Sequence, residues 1–182
     1  MNSALRVLLA LAFVALAQTG VLAYMVIDRV TLLKAGREIT LPIVPVDPRD
    51  LFRGQYVRLD FPVSSVPMWT LEGPAARRSE ALFVTLEKKD GGAWQAVAIS
   101  RAIPREGNTD RIVLKGRPTH VGWSRIRYGI ESYFVPQGEG PKLEAAARDK
   151  KLAVLVAVGK NGTAAIKGLI IDGKLQYEEP LF

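Results

Sequence analysis

The stretch Leu152–Ile171, LAVLVAVGKNGTAAIKGLII, decides the fold class. Two apolar, β-branched runs, Leu152–Val158 and Thr163–Ile171, flank Gly159-Lys160-Asn161-Gly162. Asn-Gly adopts positive φ at little steric cost, so the pattern reads as a hairpin. Asp172-Gly173 then opens a last short strand, Lys174–Tyr177. The same grammar recurs upstream. Ala81–Lys88 and Trp94–Arg101 flank Asp90-Gly91-Gly92. Arg111–Arg117 and Val121–Tyr128 are joined through Pro118-Thr119-His120. Ile130–Val135 follows Gly129, where a bend or bulge is expected.

Nearer the N-terminus, Tyr56, Arg58 and Asp60 alternate with Val57, Leu59 and Phe61. That is the period of a half-buried strand. Ile39–Val46 is β-branched but broken by Pro42 and Pro45, which predicts an edge or loop-like strand. Met68–Glu80 reads as a loop with room for one helical turn. One soluble helix is predicted, with Gly140 as N-cap, Pro141 at its first position and Lys142–Lys150 following. Eight to ten short strands and one short helix make the domain mainly β, a compact β-barrel or β-sandwich.

Residues 7–27, VLLALAFVALAQTGVLAYMVI, carry no charge over 21 positions. About 20 residues cross the roughly 30 Å of bilayer hydrocarbon as a helix. A signal peptide would end at Ala15-Leu16-Ala17 or Val21-Leu22-Ala23. The apolar run continues past both to Ile27, which favours an uncleaved anchor. The chain therefore divides into an anchor (or signal peptide) at 1–28, a polar connector at 29–38 and a β-rich domain at 39–182. Arg29, Lys34 and Arg37 after the helix would hold the following chain in the cytoplasm by the positive-inside rule. Large domains translocate largely regardless of charge, so the domain is expected on the extracytoplasmic side.

Lys and Arg number 25 against 18 Asp and Glu, a net charge of +7. No basic run exceeds two residues, and the paired ones have acids nearby, short of the dense basic patch a nucleic-acid surface needs, so no nucleic-acid partner is predicted. Cysteine is absent, which excludes disulfides, thiolate nucleophiles and Cys-ligated zinc. The only histidine, His120, cannot build an all-imidazole metal site. Gly138-Glu139-Gly140-Pro141 enters a helix but lacks phosphate-loop spacing. No nucleophile motif surrounds any serine. No catalytic residue, metal or cofactor is predicted. Trp69, Trp94 and Trp123 are expected to pack in the core or on strands.

Two constellations could carry function. In Asp47-Pro48-Arg49-Asp50-Leu51-Phe52-Arg53-Gly54, the carboxylates can hold a turn while Arg49 and Arg53 face a carboxylate or other anionic partner. In Arg125–Val135, alternation sets Arg125 and Arg127 on one face before Gly129 shifts the register. Tyr128, Glu131 and Tyr133 add hydrogen-bonding groups that brace the domain or meet a partner.

Three blocks in order, Pro45–Phe61, Arg127–Glu144 and Ala164–Gly173, resemble the GDYXXLXY family, over about Leu41–Leu175. Gly54, Tyr56 and Leu59 match the signature, whereas Gln55 and Phe61 replace its Asp and final Tyr. An amide keeps hydrogen bonds but carries no charge and cannot act as a base. An acid is also expected in relatives where Gln137 stands. The resemblance implies a single-pass protein of the bacterial inner membrane and a multi-span membrane protein as partner. The losses at Gln55 and Phe61 favour a structural or partner-binding role over catalysis. The expected site comprises Asp47, Arg49, Asp50, Arg53, Gly54, Tyr56, Leu59, Arg127, Tyr128, Glu131 and Tyr133. The expected function is a membrane-anchored extracytoplasmic accessory domain. Two alternatives remain: a hydrolase-like envelope enzyme using Asp47, Asp50 and Glu131, and a surface module for anionic lipids.

Overall fold

The computed structural model describes residues 3–44, 56–89, 91–104, 110–119, 125–136 and 138–179. A 33-residue helix, α1 (Ser3–Ala35), comes first. At 1.5 Å per residue it is about 50 Å long, well beyond the hydrocarbon thickness. Arg6–Ala35 is long and apolar enough to cross a membrane, with a mean hydropathy of 2.1 in its most apolar window. The segment read as a polar connector is instead helical as far as Ala35. Only Gly36 separates α1 from the first strand, and its N–H closes the last turn on the Leu32 carbonyl at 2.9 Å. The reason is packing: Leu33 is buried, and the helix end contacts the sheet that follows.

That first strand is β1 (Arg37–Pro42). Then come β2 (Tyr56–Arg58), β3 (Leu82–Lys88), β4 (Trp94–Ser100), β5 (Arg111–Pro118), β6 (Ile126–Arg127) and β7 (Ser132–Phe134). The short helix α2 (Gly140–Arg148) precedes β8 (Leu152–Val158), β9 (Ala164–Ile171) and β10 (Lys174–Glu178). Single 3-10 turns lie at Pro62–Ser64 and Met68–Thr70. The strands form one four-stranded sheet in the order β1-β8-β9-β10, a second in the order β4-β3-β5-β6, and a β2-β7 pair. Every ladder is antiparallel. The arrangement is sandwich-like and does not close into a barrel. β1 lies at a sheet edge, where its terminal Pro42 removes no needed donor.

The core follows from period-two alternation. Leu82, Val84 and Leu86 of β3 are buried, and Val84 lies opposite both Ile99 and Leu114. In the β1-β8-β9-β10 sheet, Ile39 and Leu41 of β1 lie opposite Val156 and Val154 of β8. Each such side chain contributes roughly 1.5–3 kcal/mol by leaving water. The β8–β9 hairpin forms as the Asn-Gly signal predicts. The Asn161 side-chain oxygen accepts from the Thr163 N–H at 3.0 Å, and the Gly162 N–H donates to the Gly159 carbonyl at 2.9 Å. The hairpin tip then reaches the second sheet, where the Gly162 carbonyl accepts from the Lys115 N–H at 2.8 Å.

Three local expectations shift. Glu139, not Gly140, sits at the N-cap of α2 and makes no side-chain cap bond. Its carboxylate is taken by the Tyr177 hydroxyl instead. Of the strand expected at Val121–Tyr128, the described part is the two-residue β6. Trp94 is buried, but Trp69 stands almost fully exposed on its 3-10 turn.

Candidate functional site

The groove begins with a turn. After β6 the chain passes through Tyr128 and Gly129, whose φ of +85° is open to glycine but strained for other residues. The Glu131 carboxylate closes this turn, accepting from the Tyr128 N–H and, at 3.0 Å, from the Gly129 N–H. The Tyr128 ring is buried, and its hydroxyl donates to the Val63 carbonyl at 2.6 Å. Burial pushes this phenol far above its ordinary range, and the neighbouring Glu131 charge pushes the same way.

Beside the turn runs the chain after β2. Arg58 and Asp60 point outward, while Leu59 and Phe61 are buried. The Leu59 N–H donates to the Glu131 carbonyl at 2.9 Å, tying the two segments together. Asp60 accepts from the Phe61 N–H at 2.9 Å with one oxygen and from the Arg125 guanidinium with the other. The end of β5 makes the opposite wall. Lys115 and Arg117 are exposed, and Gly116 between them is buried. A Cβ on Gly116 would fall on the Ile126 methyl and the Arg127 carbonyl, so only glycine lets β6 lie this close.

Between these walls lies an open groove of about 1170 Å³. Among the described residues six cations line it, Arg58, Arg78, Lys115, Arg117, Arg125 and Arg127, against two carboxylates, Asp60 and Glu131. Both carboxylates are engaged, Glu131 with backbone and Asp60 with Arg125 and backbone. Among the described residues no carboxylate pairs with Arg58, Arg78, Lys115, Arg117 or Arg127. Arg117 and Arg127 are direct register partners across β5 and β6. Like charges placed opposite each other across a ladder destabilise it unless a counter-ion lies between them. Chemically the groove is an anion receptor, rich in the guanidinium forks that bind oxyanions bidentately.

The fold brings Leu59, Arg127, Tyr128 and Glu131 of the expected site together here. Glu131 is spent on the turn. Tyr133 is buried on β7, where burial and then the Glu179 charge raise its phenol. The Tyr56 backbone pairs with Phe134 in the β2-β7 ladder. Asp47, Arg49, Asp50, Arg53, Gly54, Gln55, His120, Trp123 and Gln137 lie outside the described residues. Sequence reasoning did not single out Arg58, Arg78, Lys115 or Arg117. Lys115 and Arg117 carried a signal in their i, i+2 spacing on one strand, but nothing in the sequence revealed that Arg117 faces Arg127. Among the described residues no group of three or more His, Asp or Glu side chains could hold a metal ion.

Fold and site together define a sandwich-like β domain bearing a basic groove, joined to a helix long and apolar enough to cross a membrane. The family model described as GDYXXLXY protein matches residues 18–169, and the chain belongs to that family. The comparisons with curated proteins and with solved structures each found no match. Within the family signature, the buried Phe61 fills a core position, where a tyrosine hydroxyl would require a buried partner.

Proposed function

We propose that this protein is an accessory module of the bacterial inner membrane. Its long N-terminal helix anchors a domain on the extracytoplasmic side. The groove binds an anionic segment of an integral membrane protein. The observation that carries this reading is a set of groove cations without carboxylate partners among the described residues, beside carboxylates already committed elsewhere.

One feature weighs against the enzyme alternative: the Glu131 carboxylate, which that reading would use together with Asp47 and Asp50, is committed to the turn at Gly129.

Crosslinked affinity purification from native membranes tests the proposal. A multi-span membrane protein is expected to copurify, with recovery falling steeply when crosslinking follows a wash at high salt. Recovery of this protein alone would contradict the proposal.

A further inference from the structure

We infer that the groove recognises an extended acidic peptide segment with carboxylates at alternate positions, anchored on the Arg117–Arg127 rung. This rests on the reading of the groove as a docking site for a membrane protein, and it names the chemistry of the docked segment.

Three observations carry it. First, Lys115 and Arg117 project from one face of β5, two residues apart. That spacing is roughly 6.8 Å, and Arg125 and Arg127 repeat it on the neighbouring chain. An extended peptide presents the side chains of one face at the same interval, so successive carboxylates meet successive cations. Second, the Arg117–Arg127 register pair holds two like charges face to face. A carboxylate between them turns a repulsive rung into two charge-assisted contacts. Third, at about 1170 Å³ the groove exceeds the usual volume of a small-molecule site.

The test uses the full chain in detergent micelles and fluorescent peptides with equal numbers of glutamates. In one peptide the glutamates stand at every second position, in the other at every third. Inorganic polyphosphate serves as competitor. The alternate-position peptide is expected to bind tighter, and R127Q to weaken it about tenfold. Without peptide, the unfolding midpoint of R127Q should stay level or rise, which a merely structural arginine would not do. Equal binding of the two peptides, or no effect of R127Q, would overturn the inference. So would binding of polyphosphate with neither peptide bound. If a membrane protein still copurifies and is lost in R127Q while peptide spacing makes no difference, the acidic-strand inference fails and the docking reading stands. If no membrane protein copurifies at all, the docking reading itself fails.

Discussion

Tyr128 fastens the groove to the core. Its hydroxyl donates to a carbonyl from a 3-10 turn far away in sequence, and its backbone N–H is held by Glu131. Removing the hydroxyl by Tyr128→Phe leaves the Val63 carbonyl without this donor. The expected cost is about 1–3 kcal/mol in unfolding free energy, read from denaturant melts of the protein in micelles. A loss near zero would mean that water replaces the bond. The same phenol carries a pH signature. Burial raises the Tyr128 and Tyr177 phenols, the latter to about 12 with help from the Glu139 carboxylate that its hydroxyl bonds. An unfolded tyrosine ionises near 10. A raised pKa in the folded state adds stability that is complete below that value and is lost as pH rises through the folded one. Stability should therefore fall from about pH 10 upward, and Tyr128→Phe should flatten the fall. An aromatic that could hydrogen-bond was readable at position 128, and so was Glu131 nearby. That both would be spent on architecture was not, because Val63 is distant in sequence and the turn depends on Gly129.

At the scale of elements, the contact of β5 with β6 shapes the groove wall. Gly116→Ala would push β6 away through its clash with Ile126 and the Arg127 carbonyl. Overpacking of this kind typically costs 1–3 kcal/mol. The expected result is a lower unfolding midpoint together with weaker binding of the acidic peptide. Unchanged binding would show that the rung does not need β6 in this register. Most elements were legible, because hairpins announce themselves by alternation and turn glycines. The β3–β4 and β8–β9 hairpins fall within a residue or so of their expected bounds. The exceptions share a cause. The turns of α1 beyond Ile27 are polar by composition and become helical by docking on β8 and β9, a tertiary contact. The strand expected over Tyr56–Phe61 keeps its ladder only as far as Arg58, after which Leu59 bonds to Glu131 instead.

For the whole molecule, the salient consequence is that dispersed charges converge. Cations that never run more than two together in sequence reach one groove from four separate segments. No periodicity rule predicts this, because it depends on how strands far apart in sequence are ordered. The long apolar N-terminal helix, by contrast, was plain from composition alone. With no native cysteine, a single Gln176→Cys on exposed β10 reports sidedness cleanly. A membrane-impermeant maleimide should label it in spheroplasts, and labelling only after lysis would place the domain in the cytoplasm. The central claim, that the basic groove is where this module meets its partner, is tested most directly by site-specific photocrosslinking in native membranes. A photoreactive residue at Lys115, inside the groove, is compared with one at Gln176, outside it. The account predicts an adduct with a membrane protein from position 115 and none from 176. Equal adducts from both, or an adduct from 176 alone, would contradict it.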